Sequence, residues 1–447
     1  MKKMLLFLTL FSSVLFAQTT VQLFELQGSI NGISDNGVYA CGFDFDSSQA
    51  FLWTEAGGKV LLGLNTEANG VSNDGTVAGK FLDPNTLTNG DPTWVAGFYS
   101  GGQWNKVGGI PGVEPFDPNF YTYAYSINAS GTLMTGMAAR PNYKVEACYW
   151  NLPDTTIHLL GQINGQNGCA YDVSNDGSII VGWNADSSGS PDREPYYWDP
   201  APHFMGGFDP TWPGGECDGI SPDGNILVGG SAAGVSPAYA FRYTSTDGMQ
   251  MIVDSSAWER GYSADVSNND VIVGHVEDLF SPFAFIWKAG WSNAELLGPY
   301  LQDSLGVTGI SDWSFLYARG ISADGNVFGG EMANNNIPFG GGFIVKIENS
   351  SSVEDDINNP NGYALNQNYP NPFNPSTTIN FVIPNSELVK LTVFNSLGQE
   401  VAVLLNEVVT SGQHSVQFNA SYLASGVYLV KMNAGNFMGV KKMNLLK

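Results

Sequence analysis

The hydrophobic pattern of this chain repeats. Between Gln18 and Asn349 a β-branched residue, a serine and a tight turn recur in the form [IV]-S-x-D-G-x-x-x-G, at Ile33–Gly42, Val71–Gly79, Ile127–Gly136, Val173–Gly182, Ile220–Gly229, Val266–Gly274 and Ile321–Gly329. Anchored on Ser34, Ser72, Asn128, Ser174, Ser221, Ser267 and Ser322, the units are spaced by 38, 56, 46, 47, 46 and 55 residues. Each is followed by an aromatic-bearing apolar run, from A-F-L-W (Ala50 to Trp53) and A-G-F-Y (Ala96 to Tyr99) through to G-F-I-V (Gly342 to Val345). A shorter apolar run, such as Val60–Leu64 or Glu295–Gly298, closes the unit. Asp-Gly is hairpin chemistry, because Asp bonds nearby backbone and Gly accepts positive φ without steric cost. The unit therefore predicts strand, turn, strand, loop, aromatic strand, turn, short strand, with a period of about 48 residues that suits a four-stranded propeller blade.

One detail argues for a closed ring over an open solenoid. The seventh unit has no fourth strand before the polar stretch at Ser350, while Val21 to Leu26 precedes the first turn where a fourth strand would sit. The N-terminal strand is expected to complete the last blade. The aromatic residue once per unit fits the wedge-shaped space between neighbouring blades. The turn Asp is not obligatory, since the sixth unit has Asn269-Asp270 and the third Ser130-Gly131.

After a polar linker over residues 350–366, rich in Ser, Asn and Asp, the pattern changes to longer alternating runs. These are Thr378 to Val382, Val389 to Asn395, Ser415 to Phe418 and Val427 to Met432, punctuated by Gly398, Gly412 and Gly426. They predict a small antiparallel sandwich. Ahead of them, Pro370, Pro372 and Pro375 lack ladder donors and make a stiff lead-in. The motifs N-Y-P-N-P-F (Asn368, Tyr369, Pro370, Asn371, Pro372, Phe373), S-L-G-Q-E around Gly398, S-G-V-Y-L-V with Gly426 and Tyr428, and G-V-K-K with Lys441 and Lys442 occur in order. Residues 367–447 thereby resemble the type A C-terminal sorting domain of type IX secretion system cargo in Bacteroidetes-like bacteria. That resemblance implies an Ig-like β-sandwich that engages the outer-membrane translocon and a sorting protease, with delivery to the outer cell surface or the medium. The repeats in turn resemble the extracellular HAF repeat family, whose units couple an S-x-D-G-like turn to an A-F-x-W strand. The fold class expected is all-β, a seven-bladed β-propeller over residues 18–349 followed by the small sandwich.

The N-terminus agrees with export. Lys2 and Lys3 precede the apolar run Met4 to Phe16, and Ala17–Gln18 is a plausible cleavage point, so residues 1–17 read as a signal peptide. The run is too short for a permanent span, and no other segment has the length for one. Charge then narrows the partners. The full chain has 42 acidic and 18 basic residues, a net charge of −24, and the acid is concentrated in the repeats. Nucleic acid and anionic surfaces are excluded as partners on that ground. A monomer is expected.

Candidate chemistry is thin. Four cysteines, Cys41, Cys148, Cys169 and Cys217, permit two disulfides, but two of them occupy positions of small buried residues in other repeats, which favours free core thiols. No metalloprotease, nucleophile-elbow, phosphate-loop or dinucleotide motif is present. No cofactor is expected. Calcium is the one metal with candidates, at Asp44 and Asp46 and, less so, at the turn residues Asp74, Asp176, Asp223 and Asp324, whose turn geometry explains them without a metal. The segments that break the period are better places to look for a binding surface. Ile110 to Tyr125 carries Phe116, Phe120 and Tyr121, Pro200 to Glu216 carries Trp212, and Pro299 to Phe315 carries Tyr300 and Trp313. The expected function is a non-catalytic binding module for glycan or protein. The alternatives are a secreted polysaccharide hydrolase with carboxylates converging at the propeller axis, and a passive surface component.

Overall fold

In the computed structural model of the chain, the described residues are 18–113, 122–140, 144–161, 165–185, 193–211, 214–232, 238–279, 281–334, 337–350, 364–365, 368, 373–395, 399–435 and 437–446. The signal-peptide reading at residues 1–17 and most of the linker lie outside them. The chain divides into two compact units, Thr19–Glu348 and Asn349–Lys447.

The first unit is built from seven four-stranded sheets. Their first strands are Ser29–Ile33, Thr66–Val71, Thr122–Ile127, Gly168–Val173, Gly215–Ile220, Arg260–Val266 and Trp313–Ile321, and side chains from all seven line one axial channel. The unit is a seven-bladed β-propeller. In the seventh blade Trp313–Ile321, Val327–Asn334 and Ile337–Ser350 are joined by the N-terminal strand Gln18–Gln27, which pairs beside Ile337–Ser350. The N-terminal strand therefore closes the ring, burying Leu23, Phe24 and Leu26, and the Phe24 ring meets Trp53 of the first blade edge-on at 5.1 Å.

Among the described residues the two long spacings hold no extra blade. The second blade has an extended hairpin, Val77–Thr88 with Asp91–Ser100, and the stretch before the seventh folds as short helical turns over Leu297–Pro299 and Tyr300–Ser304. Blade-to-blade wedges are filled as the aromatic strand predicts. Phe51, Trp150, Trp198, Phe241, Phe285 and Phe343 are all fully buried, and each contributes on the order of 2–3 kcal/mol by transfer from water.

The S-x-D-G turns are complete hydrogen-bonding units. Ser72 Oγ donates to Asp74 Oδ1 at 2.5 Å, the Thr76 amide donates to Ser72 Oγ at 3.1 Å, and Gly75 takes φ +84°. The same pattern joins Ser174 to Asp176, Ser221 to Asp223, Ser322 to Asp324 and, with Asn in place of Asp, Ser34 to Asn36. The turns also hold one another. The Asn36 amide donates to Asn73 Oδ1 (2.8 Å), Asn73 to the Ala129 carbonyl (2.9 Å), and Ala129 to Asn175 Oδ1 (3.0 Å). Asn175 donates to the Pro222 carbonyl (2.9 Å), Asp223 to Asn268 Oδ1 (2.9 Å), Asn268 to the Ala323 carbonyl (2.9 Å), and Ala323 back to the Asp35 carbonyl (2.9 Å). This belt runs through all seven blades and returns to its start.

The second unit is a two-sheet antiparallel sandwich. Ser376–Ile383 pairs with Ala364–Leu365 and Gly412–Asn419 in one sheet; the other has the order Glu400–Val409, Glu387–Asn395, Gly426–Ala434, Phe437–Leu445. Phe373, Ile379, Phe381, Leu391, Val393, Phe418, Val430, Met432 and Leu445 fill the space between them.

Candidate functional site

Every first strand of the propeller carries a β-bulge at the same place. Pairing with the second strand skips the residue at that place in each blade, Asn31, Asn69, Tyr125, Tyr171, Asp218, Ala264 and Arg319, and the seventh blade carries a second bulge at Leu316. A bulge leaves its extra residue unpaired and re-aims the side chain, and here the seven residues at the shared place all line the axial channel. The repeat motif explains why. Opposite each bulge sits a glycine, Gly42, Gly79, Gly136, Gly182, Gly229, Gly274 or Gly330, where a Cβ would come within 1.8–2.1 Å of a first-strand carbonyl oxygen. Only glycine admits that carbonyl. In the seventh unit the residue with this role is Gly330, one position beyond the glycine that ends the motif in sequence.

The bulged residues, with Glu67, Tyr123, Glu216, Tyr262, His275 and Tyr317, surround a funnel of about 580 Å³. Tyr123 and Tyr125 lie 4.5 Å apart, Tyr125 meets Tyr171 edge-on at 4.9 Å, and His275 stacks on Tyr262 at 5.5 Å and meets Tyr317 at 4.8 Å. The cations of the wall are engaged. Lys80 pairs with Glu67 at 3.1 Å and sits over Tyr123, Arg193 pairs with Glu216 at 2.7 Å and sits over Trp183, and Arg319 pairs with Glu331 at 2.9 Å and sits over Tyr317. The phenols donate to the same acids, Tyr171 to Glu216 at 2.6 Å and Tyr123 to Glu67 at 3.2 Å. Burial holds these phenols in their neutral form, and burial with the Arg319 charge pulls His275 down to about 4, so its imidazole is neutral at physiological pH.

Below the funnel the channel narrows to a well of about 140 Å³ bordered by Asp35, Asp172, Asp218 and Asp265. Asp172 accepts from Ser126 Oγ at 2.6 Å and from the Ile220 amide at 3.1 Å, and Asp265 accepts from the Ile321 amide at 2.9 Å, so these two staple neighbouring blades. Burial pushes Asp172 up to about 6 and raises Asp265 well above the carboxylate range, with Asp172 adding to the latter. Asp218 is raised in the same way by burial and then by Glu216, and its carboxylate has no hydrogen-bond partner among the described residues.

The residues singled out in the sequence are distributed differently. Tyr300 is 4% exposed and packs with Leu297, Leu301, Ile310 and Phe315; Trp313 is half-buried against the same cluster. The Pro299 to Phe315 segment is thus a hydrophobic plug, because its helical turns direct Leu297, Tyr300 and Leu301 inward. Phe116, Phe120, Tyr121 and Trp212 lie outside the described residues. Asp44 is buried against Lys59 and accepts from the Ser47 amide and hydroxyl, each at 2.8 Å, while Asp46 accepts from Gln27 at 3.2 Å. The two carboxylates turn to different partners. Among the described residues no group of three or more His, Cys, Asp or Glu side chains could hold a metal ion. All four cysteines are free and buried. The axial ring itself escaped sequence reasoning, although the glycine that ends the motif in six units, and its neighbour Gly330 in the seventh, is the signal that marks it.

In the C-terminal unit, Phe373 is buried between the sheets, its amide donating to the Asn444 carbonyl at 2.9 Å and its carbonyl accepting from Leu446 at 3.0 Å. Asn368 is buried and donates to Thr377 Oγ1 at 2.9 Å, and Tyr428 OH donates to the Ala424 carbonyl at 2.8 Å. Gly426 opens the strand Gly426–Ala434, and Lys441 and Lys442 lie on the last strand. Tyr369, Pro370, Asn371, Pro372 and Gly398 lie outside the described residues. No helix among the described residues is long and apolar enough to cross a membrane.

Comparison with known proteins separates the two units. No curated protein sequence matches the chain. Similar solved structures include a putative TolB from Agrobacterium tumefaciens (13% identity, 63% of this chain and 89% of that one, TM-score 0.38). Another is PorZ, a bacterial surface component of the type IX secretion system of Porphyromonas gingivalis (11% identity, 96% of this chain and 58% of that one, TM-score 0.39). The β-propeller domain of the Trilobed protease from Pyrococcus furiosus is also similar (10% identity, 69% of this chain and 93% of that one, TM-score 0.45). Residues 367–445 match the family of secretion system C-terminal sorting domains. The second unit is therefore a type IX secretion system C-terminal sorting domain, which directs its propeller to the cell surface or the medium.

Proposed function

We propose that the chain is an exported binding module whose ligand, carried on a glycan or a protein, sits in the axial funnel. The ring of bulged residues carries this reading: seven equivalent backbone distortions turn four different kinds of polar side chain, and one alanine, toward a single concave space. Phenol faces supply area for stacking, and the rim carboxylates with Asn31 and Asn69 supply directional hydrogen bonds, the combination expected of a ligand pocket. Much of the rim is held by ion pairs and by phenol donors, so the site is preorganised.

A hydrolase is the second reading, and Asp218 is the observation that favours it. Its carboxyl, raised above the usual range by burial and then by Glu216, stands two residues from Glu216 in the same funnel, and two unequal acids are what a glycosidase uses. The funnel nonetheless spends its area on aromatic rings, which favours recognition. The test is a glycan and peptide array probed with the purified chain, the same wells being read for released sugar. Binding without release, lost in Tyr125→Ala and Tyr171→Ala, supports the module; release abolished by Asp218→Asn replaces it with the hydrolase. Silence in both channels overturns both readings.

A further inference from the structure

We infer that the funnel selects a cationic head group, an ammonium or guanidinium on a lysine, an arginine or an amino sugar, and seats it between the tyrosine faces above Asp218. The inference rests on the funnel being the binding site proposed above. Three observations point the same way. First, the channel is acidic along its length: Glu67 and Glu216 at the rim, Asp218 at the throat, Asp35, Asp172 and Asp265 in the well. Second, each nearby cation is committed elsewhere. Lys80, Arg193 and Arg319 lie over ring faces and pair with Glu67, Glu216 and Glu331, and none makes a hydrogen bond to Asp218 among the described residues. Third, Tyr125, Tyr171 and Tyr262 line the space with rings over which no cation lies among the described residues, and such rings attract a cation lodged against them.

The throat holds a carboxyl, Asp218, with no hydrogen-bond donor or paired cation of its own among the described residues. Asp218 faces Glu216 and Arg193, with Tyr171 and Tyr262 lining the funnel around it and Asp172 and Asp265 below; burial and then Glu216 raise its carboxyl above the usual carboxylate range, and Arg193 opposes them. A cation entering from the rim opposes that shift and favours the carboxylate form. A metal ion suits the place less well, because rings supply no oxygen ligands and the Asp172 and Asp265 oxygens already accept backbone or hydroxyl donors.

The experiment is calorimetric titration of the full chain with N-acetyl-lysine amide, N-acetyl-arginine amide, a glucosamine oligomer, its N-acetylated counterpart, Nε-acetylated lysine amide and calcium chloride. Runs in two buffers of different ionisation enthalpy count the protons released. The expected result is binding of charged members roughly tenfold or more tighter than their acetylated counterparts, with proton release. That release should vanish in Asp218→Asn, and affinity should fall in Glu67→Gln on another blade, which guards against a folding defect at either position. Amino-acid probes against the glucosamine arm identify the source. Equal binding of charged and acetylated probes, abolished by Tyr125→Ala, would overturn the charge selection and leave the funnel standing as a site. Binding of calcium alone would overturn it in favour of a metal. No binding by any probe would remove both the selection and the site.

Discussion

Asp35 of the first blade accepts a 2.6 Å hydrogen bond from the side-chain amide of Asn175 in the fourth, across the narrow end of the axis. Blades one and four are not neighbours in a ring of seven, so this contact spans the channel. Together with the belt of turn-to-turn bonds it braces the narrow end of the well.

Removing that strut should loosen the narrow end. Asp35→Ala is expected to lower the propeller's stability by about 1–3 kcal/mol, the range for an unpaired buried donor. Hydrogen exchange at the amides of Asn175 and Ala323 should rise with it. A variant with unchanged melting and unchanged exchange would show that the belt alone braces this end.

The glycine opposite each bulge couples fold to site. In Gly182→Ala the new methyl would lie 2.0 Å from the Cys169 carbonyl oxygen, so the bulge must shift. A cost of about 2–4 kcal/mol is expected, with weaker ligand binding because Tyr171 is displaced. Melting temperature and affinity should fall together; a stable variant with intact binding would dissociate the bulge from the funnel.

Stability should peak on the acid side of neutrality. Asp35, Asp172, Asp218 and Asp265 have raised folded-state values, so their stabilising contribution is complete below the unfolded value near 3.9 and is lost as pH rises through the folded values. For Asp172, held at about 6, the loss is on the order of 3 kcal/mol by neutral pH. Asp44, Asp74, Asp83, Asp176 and Asp324 are lowered, so their contribution is present above that unfolded value and is lost as pH falls through their folded ones. The two sets bracket a maximum near about pH 4–5. Scanning calorimetry from pH 3 to 8 checks it, and Asp172→Asn should flatten the descending limb.

Asp44 separates an ion pair from a metal site. It is 4% exposed and bound by Lys59, so Asp44→Asn should cost about 1–3 kcal/mol in protein treated with a chelator. A loss confined to calcium-loaded protein would instead mark Asp44 as a ligand.

The architecture was legible because its signals are local and repeated. Ser and Asp-Gly fix each turn through bonds made within five residues, and the missing fourth strand of the seventh unit is supplied by Val21 to Leu26. The funnel was harder to see. The bulged position reads Asn, Asn, Tyr, Tyr, Asp, Ala and Arg along the chain, a series with no common chemistry until the ring brings its members to one axis. Tyr300 misled for the opposite reason, since an aromatic in an irregular stretch looks exposed until the helical turn that buries it is known. The motif glycines did carry the information, as a steric demand rather than a reactive group.

The closing strand also sets an order of assembly. Gln18–Gln27 can take its place only when Ile337–Ser350 exists to receive it, so the contact that closes the ring joins nearly opposite ends of the propeller sequence. Long-range strand pairing of this kind is slow, and an edge left waiting for its partner invites the wrong one. With four reduced thiols and no covalent clasp, the ring stays openable until that strand docks, and completion of the propeller becomes a timed event in the life of the chain.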